Sequence, residues 1–137
     1  VVSDALVDTP GGMPGLDLAN VWTGRLGAES SWADNAALLA EVFAPFRLDQ
    51  VAQRVYAMMV VEYAPGLGKD DPGMHFTNTA DHFYVIDGEV VLVLESGDVV
   101  LRAGDIGICR GVMHGWRNDS GKPARLVTFV LSAASLG

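Results

Sequence analysis

The chain has 137 residues, half of them hydrophobic and 19% charged, a composition typical of a single globular domain. Aspartate and glutamate (17) outnumber lysine and arginine (9), which gives a formal net charge of −8. This charge repels phosphate backbones and anionic lipid, so we expect no nucleic-acid partner and no membrane binding.

No apolar run approaches the roughly 18 residues needed to cross a bilayer, and the first residues lack a basic region followed by an apolar one. The sequence therefore predicts a cytoplasmic protein. Its single cysteine, Cys109, excludes an intrachain disulfide and is expected to be a small buried residue on a strand.

Residues 1–53 are predicted to pack on the main domain as an arm, a short strand and a helix. Residues 1–16 are rich in turn-forming residues and would cover a sheet edge of a partner subunit, which predicts a homodimer. Residues 17–23 form the predicted strand. Residues 28–50 have helix-like spacing that Pro45 would end.

Residues 54–132 have a different pattern, in which short apolar runs alternate with glycine-containing turns. Asp87-Gly88 lies between two such runs and is the strongest hairpin signal in the chain. This pattern indicates a single all-β domain, either a sandwich or a barrel, and periodicity does not separate the two. Strands are predicted at 54–63, 83–86, 89–94, 99–101, 106–109, 115–118 and 124–131.

Alternation along the strands brings several polar side chains to common faces. Asp81 shares a face with Phe83, which puts His82 on the opposite face. If the inward faces coincide, two imidazoles, a carboxylate and a hydroxyl meet in one apolar pocket. The predicted catalytic residues are His75, Asp81 and His114. The predicted substrate-binding residues are Thr77, Phe83, Trp116, Tyr56 and Met58.

This spacing resembles the cupin family. Cupins carry a first motif, G-x5-H-x-H-x3,4-E-x6-G, and a second motif, G-x5-P-x-G-x2-H-x3-N. The first resembles residues 75–88 of this chain and the second resembles residues 104–118. The resemblance extends over residues 54–132. It implies a small single-domain cupin of the type-2 conserved-barrel kind, with an antiparallel jelly-roll β-barrel behind a short helical or irregular N-terminal segment.

The chain departs from the family pattern at the residues that would bind a metal. Thr77 stands where cupins have a second histidine, and Asp81 stands where they have a glutamate. The resemblance implies a divalent transition metal (Fe, Mn, Zn or Ni), for which this chain retains only His75, Asp81 and His114. Such a two-histidine, one-carboxylate set suits Fe(II) or Mn(II). Aspartate is shorter than glutamate by ~1.5 Å, so coordination would need a backbone adjustment.

The sequence around the motifs resembles that of a subgroup of small cupins found in bacteria and in fungal polyketide gene clusters. Dehydratase, cyclase, isomerase and oxidoreductase roles are attached to that group. We therefore expect a lyase or isomerase, with His75 or His114 taking a proton α to a carbonyl and the other imidazole or a protonated Asp81 returning one. The alternatives are an Fe- or Mn-dependent oxygenase and a non-enzymatic cupin that binds a small ligand.

Overall fold

The structure is a computed structural model that describes residues 9–10, 14–25 and 55–133. Strands and turns make up this part of the chain, so the all-β prediction is confirmed. The strands are β1 Thr9–Pro10, β2 Leu16–Arg25, β3 Val55–Tyr63, β4 Thr79–Asp87, β5 Glu89–Leu94, β6 Gly97–Arg102, β7 Ile106–Arg110, β8 His114–Arg117 and β9 Ala124–Ser132.

The nine described strands form two antiparallel sheets. The larger sheet has the order β1-β2-β3-β9-β4-β7, and the smaller has the order β6-β5-β8. The strand predicted at 17–23 lies within β2. The predicted helix at 28–50 lies outside the described residues, as do residues 1–8 and 11–13 of the predicted arm. Thr9–Pro10 of that arm pair with β2 of the same chain. Among the described residues, no helix is long and apolar enough to cross a membrane.

The Asp87-Gly88 turn is a corner between the two sheets, so the prediction of a hairpin there was wrong. Strand β4 before it pairs with β7 and β9, whereas β5 after it pairs with β6 and β8. Gly88 has a φ of 81°, and a Cβ there would lie 2.5 Å from the Pro123 carbonyl oxygen. Glycine is required because the chain turns sharply against the start of β9.

The tight hairpin of the smaller sheet lies one strand later, between β5 and β6. Leu94 pairs with Gly97, so only two residues connect the strands. This hairpin joins two neighbouring strands of the smaller sheet.

The core lies between the two sheets because each strand turns alternate residues inward. The buried cluster draws on β3, β4, β5, β7 and β9, and Leu126 and Val85 in it are fully buried. Asn118, just after β8, is a fully buried polar residue. Its Nδ2 donates to the backbone oxygens of Tyr63 and Lys122 at 2.9 and 2.8 Å, which joins β8 to the larger sheet.

Candidate functional site

The two sheets enclose a cavity of about 1110 Å³. Inward side chains of β2, β3, β4, β7, β8 and β9 line it, together with the loop between β3 and β4. Six residues that the sequence placed in one pocket line this cavity. They are His75, Thr77, Asp81, Phe83, His114 and Trp116. The structure therefore brings them to one space, as the alternation pattern predicted.

His75 and His114 form a closely paired polar feature of the cavity. A two-residue antiparallel bridge joins their backbones, with N–O distances of 2.8 and 2.9 Å. Their ring centroids lie 4.4 Å apart. The loop segment and β8 therefore present two imidazoles side by side, although the residues are distant in the chain.

Both imidazoles are anchored through the same ring nitrogen. His75 Nδ1 lies 2.8 Å from the Gly73 carbonyl oxygen, and His114 Nδ1 lies 2.9 Å from the Val112 carbonyl oxygen. A carbonyl oxygen only accepts, so each Nδ1 must carry the hydrogen. In the neutral rings each Nε2 then keeps its lone pair, ready to accept a proton.

The surroundings of His114 keep its imidazole neutral. The side chain is buried, and this loss of water lowers its pKa from the ordinary value of 6.5. The neighbouring His75 lowers the pKa further, whereas the Val112 carbonyl and Asp81 act in the opposite direction. His114 is therefore a base at neutral pH.

Asp81 is the carboxyl group of the cavity. Burial raises its pKa above the ordinary 3.8, and a hydrogen bond from Thr79 and the nearby histidines oppose the rise. Its Oδ1 is buried and has no hydrogen-bond partner among the described residues. An unpartnered buried carboxylate oxygen is unfavourable, so this carboxyl group is protonated more readily than an exposed aspartate.

Two threonine hydroxyls extend the polar wall beside Asp81. Thr77 Oγ1 and Thr79 Oγ1 lie 2.7 Å apart. Thr79 is almost fully buried and lines the cavity, but the sequence analysis did not include it. Alternate residues of an extended segment lie on one face, so Thr77 and Asp81 on either side of Thr79 were the signal that it also faces the cavity.

Aromatic rings form the wall next to the histidines. Trp116 packs against Phe83 and Tyr63, with ring centroids 5.3 and 5.2 Å away, and His114 lies edge-on to it at 6.3 Å. The Phe83 ring packs directly against Gly107 on the adjacent strand. A Cβ at Gly107 would lie 2.0 Å from this ring, so no larger residue fits there without a shift of the ring. Close packing thus fixes the aromatic wall.

The prediction that Tyr56 and Met58 line the pocket was wrong. Met58 is 40% exposed, and the ring of Tyr56 packs against Phe129 on the outer face of the larger sheet. The cavity-lining residues of β3 are instead Met59, Val61 and Tyr63. The charged Glu62 was the overlooked signal, because a charge on the outer face puts the odd-numbered residues of β3 inside.

Cys109 lies inside the cavity next to Asp81 on the neighbouring strand. It is buried, and burial followed by the charge of Asp81 raises the pKa of its thiol. The thiol is therefore a neutral wall group, consistent with a small buried residue on a strand.

The metal predicted from the sequence was tested against the donors in the cavity. His75 and His114 present the correct nitrogens, but among the described residues no three His, Cys, Asp or Glu side chains lie close enough to hold a metal ion. As placed, the donors do not fit a three-ligand centre. The presence of a metal stays a prediction.

Comparison with known proteins agrees with this architecture. The family profile of the cupin domain matches residues 59–130, more than half of the chain. The chain therefore belongs to the cupin family, as its motifs indicated.

The similar curated proteins come from fungi. A Phomopsin biosynthesis cluster protein of Diaporthe leptostromiformis is 41% identical over 64 residues, 46% of this chain and 32% of that protein. The cupin-domain-containing oxidoreductase srdB of Neurospora crassa is 40% identical over 79 residues, 56% of this chain and 39% of that protein. The chain thus spans 32% to 39% of the length of these relatives.

Among solved structures, the polyketide cyclase RemF from Streptomyces resistomycificus aligns with a TM-score of 0.58 at 18% identity. The alignment covers 95% of this chain and 73% of that one. The cupin domain of Schizosaccharomyces pombe Cnp3 aligns with a TM-score of 0.56 at 13% identity, over 85% of this chain and 64% of that one. At these identities the likeness establishes the cupin fold.

Proposed function

We propose that this cupin is a lyase or isomerase, of the dehydratase or cyclase type, that moves protons on an oxygenated carbonyl compound bound in the barrel. The proposal rests on the pair of imidazoles whose Nδ1 atoms both donate a hydrogen bond to a backbone carbonyl oxygen. This anchoring leaves an unprotonated Nε2 on each neutral ring, and one such base in the cavity is what abstraction of a proton α to a carbonyl requires.

Asp81 supplies the acid of the proposed reaction. In this role its protonated carboxyl gives a proton to a hydroxyl leaving group or to the substrate carbon. Burial pushes the pKa values of Asp81 and His114 towards their neutral forms, which are the acid and the base respectively. Two titratable groups with opposite tasks in one cavity are typical of acid–base catalysis.

The cavity also suits an uncharged organic substrate. The aromatic rings around Trp116 offer apolar area, and the same cavity presents hydroxyls, a carboxyl and imidazoles. Such a lining would pack against a ring or chain and offer polar partners to its oxygen atoms.

The proposal is tested by proton exchange in deuterium oxide, followed by NMR, with a panel that contains a β-diketone, a β-hydroxy ketone and a hydroxylated aryl ketone. We expect catalysed exchange at the α-carbon, reduced about 100-fold or more in His114→Gln. His82→Gln is the matched control, because His82 neighbours Asp81 in the chain but its ring lies near Phe129 on the outer face. Equal rates for wild type and His114→Gln would refute the proposal.

Asp81→Asn separates the acid from the base. It is expected to slow loss of water from the β-hydroxy ketone much more than exchange at its α-carbon, because only the first reaction needs a proton for the leaving oxygen. Equal slowing of both reactions would remove Asp81 from the acid role.

A metal-dependent oxidoreductase is the second candidate function. The relative of Neurospora crassa that is 40% identical over 79 residues is named an oxidoreductase. Stoichiometric Fe or Mn in protein purified without added metal, lost in both His75→Ala and His114→Ala, would favour this function. Ligand binding with no turnover across the panel would favour a non-enzymatic cupin instead. The predicted homodimer and cytoplasmic location stay predictions, and light scattering tests the first.

A further inference from the structure

Tyr63 is a polar side chain in the cavity that the proposed reaction has not used. It ends β3, is only 4% exposed, and lines the cavity. Its phenol is therefore placed to offer an O–H donor to a molecule bound in the cavity.

The position of Tyr63 complements that of the base. Its ring packs on one side of Trp116, whose ring also meets His114 edge-on. The phenol and the imidazole thus both pack against the Trp116 ring and line the same cavity. If the α-carbon of a bound carbonyl compound faced His114, its carbonyl oxygen could accept a hydrogen bond from the Tyr63 hydroxyl elsewhere on the cavity wall.

The phenol remains a donor throughout the useful pH range. Burial, and secondly the charge of Asp81, raises the pKa of Tyr63 well above its ordinary value of 10.0. A neutral hydroxyl held in a fixed position stabilises a developing oxyanion more than water does.

We propose that Tyr63 is a further catalytic residue, the hydrogen-bond donor that stabilises the enolate oxygen formed when a histidine removes the α-proton. This inference rests on the proposed function. The ligand class it implies is an oxyanion conjugated to a planar apolar body. The proton moves from carbon to histidine Nε2, and the electron pair moves to the carbonyl oxygen, to which the Tyr63 O–H donates.

The test uses enolate-like probes, so it does not depend on turnover. Pentafluorophenolate carries an oxyanion on a planar ring, and pentafluorotoluene has a methyl group in its place. Fluorine NMR titrations of wild type and Tyr63→Phe give four dissociation constants, which form a double-mutant cycle. We expect Tyr63→Phe to weaken phenolate binding about tenfold or more and to leave toluene binding unchanged within about twofold.

Tyr84→Phe is the matched control, because Tyr84 lies on the outer face of β4 and is largely exposed. It is expected to leave both dissociation constants unchanged. If the Tyr63 hydroxyl serves a bound ligand and not the fold, Tyr63→Phe keeps the melting temperature within about 2 °C. A larger loss of stability would mean that the hydroxyl has a structural role, which would contradict the inference.

Three binding results would overturn it: an equal loss for both probes, no loss for either, or no binding of the phenolate to wild type. These outcomes are distinct from failure of the proposed function, which His114→Gln tests by proton exchange. Selective loss of the phenolate in Tyr63→Phe without any exchange activity would leave an oxyanion-binding cavity that performs no proton transfer.

Discussion

Gly107→Ala is the substitution whose effect follows most directly from the packing of the aromatic wall. An added Cβ would lie 2.0, 2.4 and 2.9 Å from three atoms of the buried Phe83 ring. The ring is rigid and must shift, and overpacking of this kind typically costs about 1–3 kcal/mol. At roughly 4 °C per kcal/mol for a domain of this size, the melting temperature is expected to fall by about 4–12 °C.

Thermal denaturation followed by circular dichroism measures this loss. Gly121→Ala is the control, because no atom would lie within 4 Å of its added Cβ. In the Gly107→Ala background, Phe83→Leu relieves the clash, so the double variant should be more stable than the sum of the two single effects predicts, by about 1 kcal/mol or more. Strict additivity, or a Gly107→Ala protein as stable as wild type, would refute the described packing of Phe83.

Three further predictions concern Asp81, His114 and Asn118. Burial raises the pKa of Asp81, so the stability linked to its protonation is present below pH 3.8 and lost as the pH rises through the folded pKa. Asp81→Asn should therefore melt at a higher temperature than wild type at neutral pH, with a smaller difference in acid. A lower melting temperature of the variant at neutral pH would contradict this. The pKa of His114 is lowered, so NMR titration of its ring should give a midpoint below 6.5. The stability linked to the neutral ring is present above pH 6.5 and lost as the pH falls through the folded pKa. A midpoint at or above 6.5 would be inconsistent with a buried ring. Asn118→Ala removes both Nδ2 hydrogen bonds and an acceptor for Ser120, so denaturant unfolding should show a loss of about 2–4 kcal/mol, against little change for the exposed Asp119→Ala.

The polar part of the site was predictable because its residues lie on short extended segments with a clear alternation. His75 and Thr77 are alternate residues of one extended segment, and Asp81 and Phe83 are alternate residues of the next. Each pair therefore lies on one face of its segment, and both faces turn inward. His114 and Trp116 follow the same rule on β8. The family motif then set the order of these segments around the barrel.

The apolar wall was harder to predict because β3 is hydrophobic on both faces. The run from Val55 to Val61 has no polar residue on even or odd positions, except the hydroxyl of Tyr56, so composition did not assign its faces. Only Glu62, near the end of the strand, marks the outer face. Without that assignment Tyr56 and Met58 were placed inside, and Tyr63 was overlooked.

The turn at Gly88 illustrates a second limit. An Asp-Gly dipeptide reports that the backbone turns with positive φ, and Gly88 does so. It does not report which strands pair, because pairing depends on contacts between residues far apart in the chain. Here Asp87 pairs with Arg125, and the chain leaves the larger sheet at that point. The same limit applies to the metal, since ligand types on a sequence do not give the distances between them.

The most direct test of the central claim is α-proton exchange on the carbonyl panel after exhaustive chelation, with elemental analysis of the same sample. If the histidine pair and Asp81 perform proton transfer themselves, metal-free wild type should exchange the α-proton at the rate of the untreated protein, while His114→Gln should not. Exchange that disappears on chelation and returns with Fe(II) or Mn(II) would contradict the account.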